Sequence, residues 1–287
     1  MAHLFRRLPQ ANRYYAWFTA LHTRVDLLLL GHFEEPEFEA AEVAVRDELL
    51  AVERMGNRFD PKSELSVAVR SAVSTGAAVL SPELFNLLSR CLQANKETEG
   101  LFDITVNSPC FYPGLINTIH LEPFTATAGT TAFSRASLPS LTGGVPVGRG
   151  GSLFVTIPES PSLTGEVSVG QGGSLVLDLS GILKGYALER LRQLLSAFGI
   201  ADALVNLGNS SILSLGQNPS DIPSGSCLTT SGNATASRRH IRNPLTGEFV
   251  TGARTVSVTT ADGVDGEIAS IVEFLRTAQD STAQQSP

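Results

Sequence analysis

Apolar residues fall along this chain with more than one period, and each period predicts its own kind of element. Val25 to Leu30 is a short apolar run that reads as a buried strand. From Glu34 to Met55, Phe38, Ala41, Val45, Leu49 and Val52 recur at three- and four-residue spacing with acids between them, which predicts an amphipathic helix. Pro36 stands in its first turn, where a missing N–H is tolerated, and Gly56-Asn57 ends it. A second helix is predicted from Ser81 as N-cap, Pro82 in the first position and Glu83 near the positive dipole end, running to about Lys96. A third spans Gly181 to Phe198 and stops at Gly199. Strand-like runs follow at Ala203-Leu204-Val205, Ile212-Leu213 and Thr255 to Thr259. Helices and strands mix without a regular βαβ period, so the fold class expected is α+β rather than a doubly wound sheet.

A near-duplication interrupts this order. Ser140 to Leu153 recurs 22 residues later as Ser162 to Leu175, with eleven of fourteen positions identical. Each copy alternates apolar and small residues around a Gly-Gly pair, which predicts tandem surface hairpins. Two copies are too few for a solenoid or propeller. The stretch after Arg276, Thr277 to Pro287, has no apolar period and is expected to be disordered. The organisation expected is one domain over residues 1–275, carrying the duplicated hairpin at 140–175, and a tail over 276–287.

Composition narrows the partners. The 287 residues are 42% apolar and 17% charged, which suits a globular chain with a sizeable core. A net charge of −7 provides no overall positive field for nucleic acid or an anionic membrane, although a local positive site for a nucleotide is still allowed. Cys91, Cys110 and Cys227 are odd in number and widely spaced, which fits three ordinary thiols rather than a disulfide framework or a zinc site. The N-terminus shows no signal-peptide core and no lipid-attachment cysteine, and no apolar run approaches membrane-spanning length. A cytoplasmic location is therefore expected.

Candidate chemistry concentrates in Leu177 to Ala187. There an apolar strand is predicted to join the third helix through the small-residue turn Ser180-Gly181, with Lys184 in the first turns. Free N–H groups and a helix dipole attract a phosphate, and a lysine adds a mobile charge. The same arrangement also occurs where no ligand binds. His240, in His240-Ile241-Arg242-Asn243-Pro244-Leu245-Thr246-Gly247, could act as a general base or hold a phosphate, or the segment could be a structural turn.

Five boxes in order resemble a known family. Met55 to Ser66, containing Phe59 and Ser63-Glu64-Leu65-Ser66, is similar to the first box of the ApbE family, the FAD:protein FMN transferases. Thr98-Glu99-Gly100-Leu101-Phe102-Asp103 resembles its "T-x-G-A-F-D", and Asp178 to Gly185 its "D-L-G-G-I-A-K-G". Val205-Asn206-Leu207-Gly208 resembles "V-N-L-G-G". Thr230-Ser231-Gly232 followed by His240 to Gly247 resembles "T-S-G…H-I-I-D-P-x-T-G". The resemblance covers roughly Val25 to Leu275. It implies an α+β fold of two packed lobes around a cleft that binds FAD. With Mg²⁺, the FMN half moves onto a hydroxyl of an acceptor protein and AMP is released, or FAD is hydrolysed instead. A flavin-binding relative without catalysis is the other class of reading. Carried over, the cofactor-binding residues are Met55, Phe59, Asp103, Ser180, Gly181, Lys184, Gly185, Asn206, Gly208, Ser231, Gly232 and His240. The catalytic ones are His240 and Lys184, and the metal ligands Leu183 and Glu267.

The chain also departs from these boxes. Leu183 stands for the alanine before the motif lysine, and Val69 for the asparagine that closes the first box. Asn209 and Ser210 replace a second glycine and an acid. In the last box, Gly266 to Phe274, Glu267 replaces an aspartate and Ile271 a threonine that binds metal; Asp262 and Asp265 lie close enough in sequence to substitute.

Overall fold

The structure, a computed structural model, describes residues 4–8, 12–32, 34–124, 150–156, 175–233, 235 and 240–283. β2 (Arg13–Ala20) and β3 (Thr23–Leu30) alternate as period-2 strands do, turning Tyr14, Ala16 and Phe18 and then Val25, Leu27 and Leu29 into the core. Both turn residues between them, Leu21 and His22, have positive φ, as a tight hairpin of matching twist requires. Glu53 steadies that turn from the side, its carboxylate accepting the Leu21 N–H at 3.2 Å.

These strands belong to a seven-stranded antiparallel sheet in the order β1-β2-β3-β7-β8-β9-β10. Its remaining members are β1 (Leu4–Leu8), β7 (Asp202–Leu207), β8 (Ser211–Leu215), β9 (Cys227–Asn233) and β10 (Arg254–Thr260). A second sheet, of three strands, has β4 (Ala77–Leu80) and β5 (Ile119–Pro123) on either side of β6 (Gly151–Val155). The end of the first duplicated copy, Gly151-Ser152-Leu153, lies in β6 and pairs on both edges, so there the Gly-Gly pair opens a central strand and not a hairpin turn. A side chain at Gly151 would collide with the Phe85 ring and the Glu122 carbonyl, which is what the glycine relieves. Most of both copies lies outside the described residues.

Helix α1 (Glu35–Gly56) buries the apolar stripe that its periodicity marks out. Helix α3 (Pro82–Glu97) begins at Ser81, whose Oγ accepts the Leu84 N–H at 3.2 Å. Helix α4 spans Leu183–Ala197, two residues shorter at its start than its pattern predicts. Two helices were not foreseen. α2 (Glu64–Thr75) is capped by Ser63 and ended by Gly76 in a left-handed conformation, and α5 spans Gly263–Ala283. The latter runs through most of the stretch expected to be a disordered tail. The strand expected before α4 is also absent: residues 175–179 have no regular secondary structure and belong to no sheet, and hydrogen bonds hold them instead. Val176 donates to Ser108 Oγ at 3.0 Å and Asp178 N to the Ile104 carbonyl at 2.7 Å. No described helix is long and apolar enough to cross a membrane.

Helices α4 and α5 pack closely enough for their backbones to touch at Gly185 and Gly263. A Cβ on Gly185 would come within 2.2 Å of the Gly263 carbonyl oxygen and 2.7 Å of Glu267 Cγ. This contact sets the start of α4 directly over the second turn of α5. Alanine is the better helix former by up to about 1 kcal/mol, but here overpacking, at about 1–3 kcal/mol, outweighs propensity. Gly185→Ala is expected to lower the unfolding free energy by about 1–3 kcal/mol, read as a lower urea midpoint with the m-value unchanged; equal or greater stability would mean that the helices separate freely.

Candidate functional site

A cleft of about 470 Å³ opens between the 101–107 segment that follows α3 and a wall built from the start of α4, the β7–β8 turn, β9 and α5. Its floor is shaped by Asp178. Oδ1 accepts the Ser180 N–H at 2.9 Å, Oδ2 accepts from Asn107 Nδ2 at 2.7 Å, and Arg58 Nε lies 3.0 Å from Oδ2 as an ion-pair partner. This nearly buried carboxylate therefore holds the Ser180-Gly181 turn in place.

Part of the helix start is used within the protein. The Ile182 and Leu183 N–H groups both donate to the Leu179 carbonyl at 2.9 Å, and the Gly185 N–H donates to the carboxylate of Glu267. Glu267 is 3% exposed, and Ser211 Oγ donates to its Oε1 at 2.5 Å. An internal anion thus occupies the positive end of α4. Burial pushes the Glu267 carboxyl up to about 7, against the Lys184 charge and the two hydrogen bonds, all of which pull it down. Lys184 reaches past this carboxylate and donates to Ser210 Oγ.

Ser210 is positioned by a tight turn. Asn209 takes the left-handed conformation at φ 59°, which asparagine tolerates in place of the expected glycine, and it exchanges hydrogen bonds with Asn206 at 2.7 and 2.8 Å. On β9, Ser231 Oγ lies 2.8 Å from Ser270 Oγ. Asp103 accepts from Thr105 N and Oγ1 at 2.7 and 2.6 Å, and burial raises its carboxyl. Arg242 donates to the Val106 carbonyl at 3.0 Å and stacks on Phe249, and Asn243 and Gly247 close the turn behind it.

Of the residues singled out from sequence, Asp103, Ser180, Gly181, Lys184, Gly208, Ser231, Gly232, His240 and Glu267 all line this cleft, His240 being exposed there. Five do not line it. Met55 is buried in the core, and Phe59 points outward, 68% exposed, beneath the Arg58 guanidinium. Leu183 packs its side chain on Gly56, which leaves only its carbonyl as a donor to metal. Gly185 is the helix contact described above, and Asn206 braces the turn. Sequence reasoning missed Arg58, Asn107, Ser210 and Ser211 as parts of the site. Only Ser210 carried a signal, as a hydroxyl in an acid's position.

The donor set does not fit a magnesium site. Mg²⁺ demands octahedral oxygen donors. Ile271 presents a methyl group toward Gly181, and Ser270 is tied to Ser231 and to the Glu267 carbonyl. Asp262 and Asp265 both pair with Arg90, at 2.8 and 2.6 Å, so neither substitutes in the cleft. Among the described residues no three His, Cys, Asp or Glu side chains cluster as metal ligands.

Comparison with known proteins agrees on the fold. Residues 21–284 match the model of the ApbE family. The flavin transferase ApbE from Vibrio cholerae superposes with a TM-score of 0.63 at 18% identity, covering 91% of this chain and 86% of that one. The ApbE protein from Thermotoga maritima gives 0.63 at 18%, covering 94% and 89%. The apo flavinyl transferase ApbE from Pseudomonas stutzeri gives 0.62 at 16%, covering 93% and 87%. No curated protein matches the chain. The α+β architecture expected from sequence is therefore that of the ApbE structures.

The raised carboxyl of Glu267 has a signature in stability. Its folded form keeps a proton up to about 7, whereas an unfolded glutamate releases it near 4.5. The resulting stabilisation is full below 4.5 and is lost as pH rises to about 7. In metal-free buffer, chemical denaturation should show native stability falling across that window by at most about 3 kcal/mol relative to Glu267→Gln. Parallel pH profiles for the two proteins would place the carboxyl in an ordinary environment.

Proposed function

The chain belongs to the ApbE family, and we propose that it binds FAD in this cleft and transfers the FMN half to a hydroxyl of an acceptor protein, releasing AMP. One observation supports the reading above others: boxes scattered from Asp103 to Glu267 in sequence line a single cleft of about 470 Å³, with a lysine inside it. On this reading Lys184 meets the pyrophosphate, and the backbone at Gly208 and Gly232 allows close approach of the nucleotide. A side chain at Gly208 would strike Thr23, and one at Gly232 the Arg254 carbonyl, so both positions also need glycine for packing.

In the transfer, the acceptor oxygen would attack the FMN phosphorus as the bond from that phosphorus to the bridging oxygen breaks. AMP would leave with the bridging oxygen, and the acceptor's proton would pass to His240 at the cleft's exposed edge. Water in place of the acceptor would give hydrolysis of FAD at the same site. A second reading, a flavin-binding relative that does not transfer, is favoured by Ile271 and by a Glu267 already engaged with Ser211. The acceptor is proposed only as a protein with an accessible hydroxyl.

FAD at 100 times its dissociation constant should stabilise the fold by about 2.7 kcal/mol, visible as a raised melting temperature. Incubation with an acceptor protein should then release AMP and leave covalent FMN on the acceptor. Stabilisation without AMP selects the non-transferring reading. No thermal shift at millimolar FAD would overturn flavin binding altogether.

A further inference from the structure

Resting on the flavin reading above, we propose that this cleft binds FAD without a divalent cation, the Lys184 ammonium supplying the positive charge that neutralises the pyrophosphate. The metal end of the cleft is closed on three sides. Ile271 puts hydrocarbon where the resemblance implies a hydroxyl ligand, and its Cδ1 would lie 3.1 Å from a Cβ at Gly181. Glu267 is buried and already accepts the Gly185 N–H and, at Oε1, the Ser211 hydroxyl, so it has little left to offer a metal. Of the side chains that could replace the lost hydroxyl, Ser270 is committed to Ser231 and both Asp262 and Asp265 to Arg90, which leaves the Leu183 carbonyl as the other donor.

The hydrogen bond of the lysine goes to a hydroxyl and not to an acid, although the Glu267 carboxyl lies near enough to feel its charge. The position that resembles an aspartate in the turn box is Ser210, and it is to this neutral hydroxyl that Lys184 donates. A hydroxyl orients an ammonium without neutralising it. Several amides at the start of α4 are spent within the protein, since Ser180, Ile182, Leu183 and Gly185 all donate there, and the ammonium is the group that brings a full positive charge. Of the other cations lining the cleft, Arg242 is held by the Val106 carbonyl and by Phe249. Lysine suits this task, since it is a compact charge on a flexible stem that can follow a phosphate without demanding octahedral geometry. Loss of the hydroxyl ligand and loss of the acid beside the lysine are thus two halves of one substitution, of ammonium for metal.

Calorimetric titration of the full chain with FAD, once in millimolar Mg²⁺ and once in EDTA, tests this directly. The two dissociation constants should agree within about threefold, and Lys184→Met should weaken binding about tenfold or more in both buffers. Ser210→Asp, which returns an acid to the lysine, should weaken binding in EDTA while its circular dichroism spectrum stays native. A loss beyond about threefold on adding EDTA to the native protein, or native affinity in Lys184→Met, would overturn the proposal. The native comparison stands even if a variant fails to fold. Absence of FAD binding in both buffers is a separate result, which removes the flavin reading and this inference with it.

Discussion

A carboxylate sealed inside a protein must find partners there, and the answer to Glu267 organises this molecule. Its charge is met by the Gly185 N–H at the head of α4, the Ser211 hydroxyl on β8 and the ammonium of Lys184. These groups come from two elements, α4 and β8, and meet a carboxylate carried on a third, α5. They converge only because two glycines let α4 and α5 touch. Sheet, helix pair and cleft wall are therefore fixed by one polar knot. Burying an unpaired carboxylate would cost several kcal/mol, so the knot holds as a whole or not at all.

A second carboxylate does the same at the floor of the cleft. Asp178 ties the turn before α4 to Arg58, in the loop after α1, and to Asn107 after α3. The family box that contains Phe59 thus contributes through its arginine, from behind the cleft wall, while the aromatic ring faces solvent. A motif can keep its place in a family and yet act one layer away from the ligand.

What sequence revealed was what one element encodes alone. α1 and α3 carry their own apolar stripes and prolines, and β3 its apolar run, so each was legible within its span, whereas β2, whose aromatic residues alternate between core and surface, was not read as a strand. α2 was hidden because its cap, Ser63, lies inside a motif that reads as chemistry. α5 was hidden because it opens with Gly263 and Gly266, which look like loop but serve close packing. The pairing of Arg90 with Asp262 and Asp265 joins residues from distant parts of the chain, and no local pattern announces it. For the same reason most of the residues named in advance line the cleft, whereas the groups that hold them, Arg58, Asn107 and Ser211, were not named.

The order of strands in the large sheet has a consequence for how the chain is made. β3 pairs with β7, Val25 opposite Leu207, so the two edges that must meet are about 180 residues apart. At roughly 5–20 residues per second, a ribosome would leave the inner edge of β3 open for about 10–40 s after the β2–β3 hairpin emerges. That hairpin presents Leu27 and Leu29 beside unpaired backbone, the combination most prone to pairing with a stranger. Newly made chains of this protein are therefore most exposed to aggregation, and most in need of a chaperone, before β7 is translated.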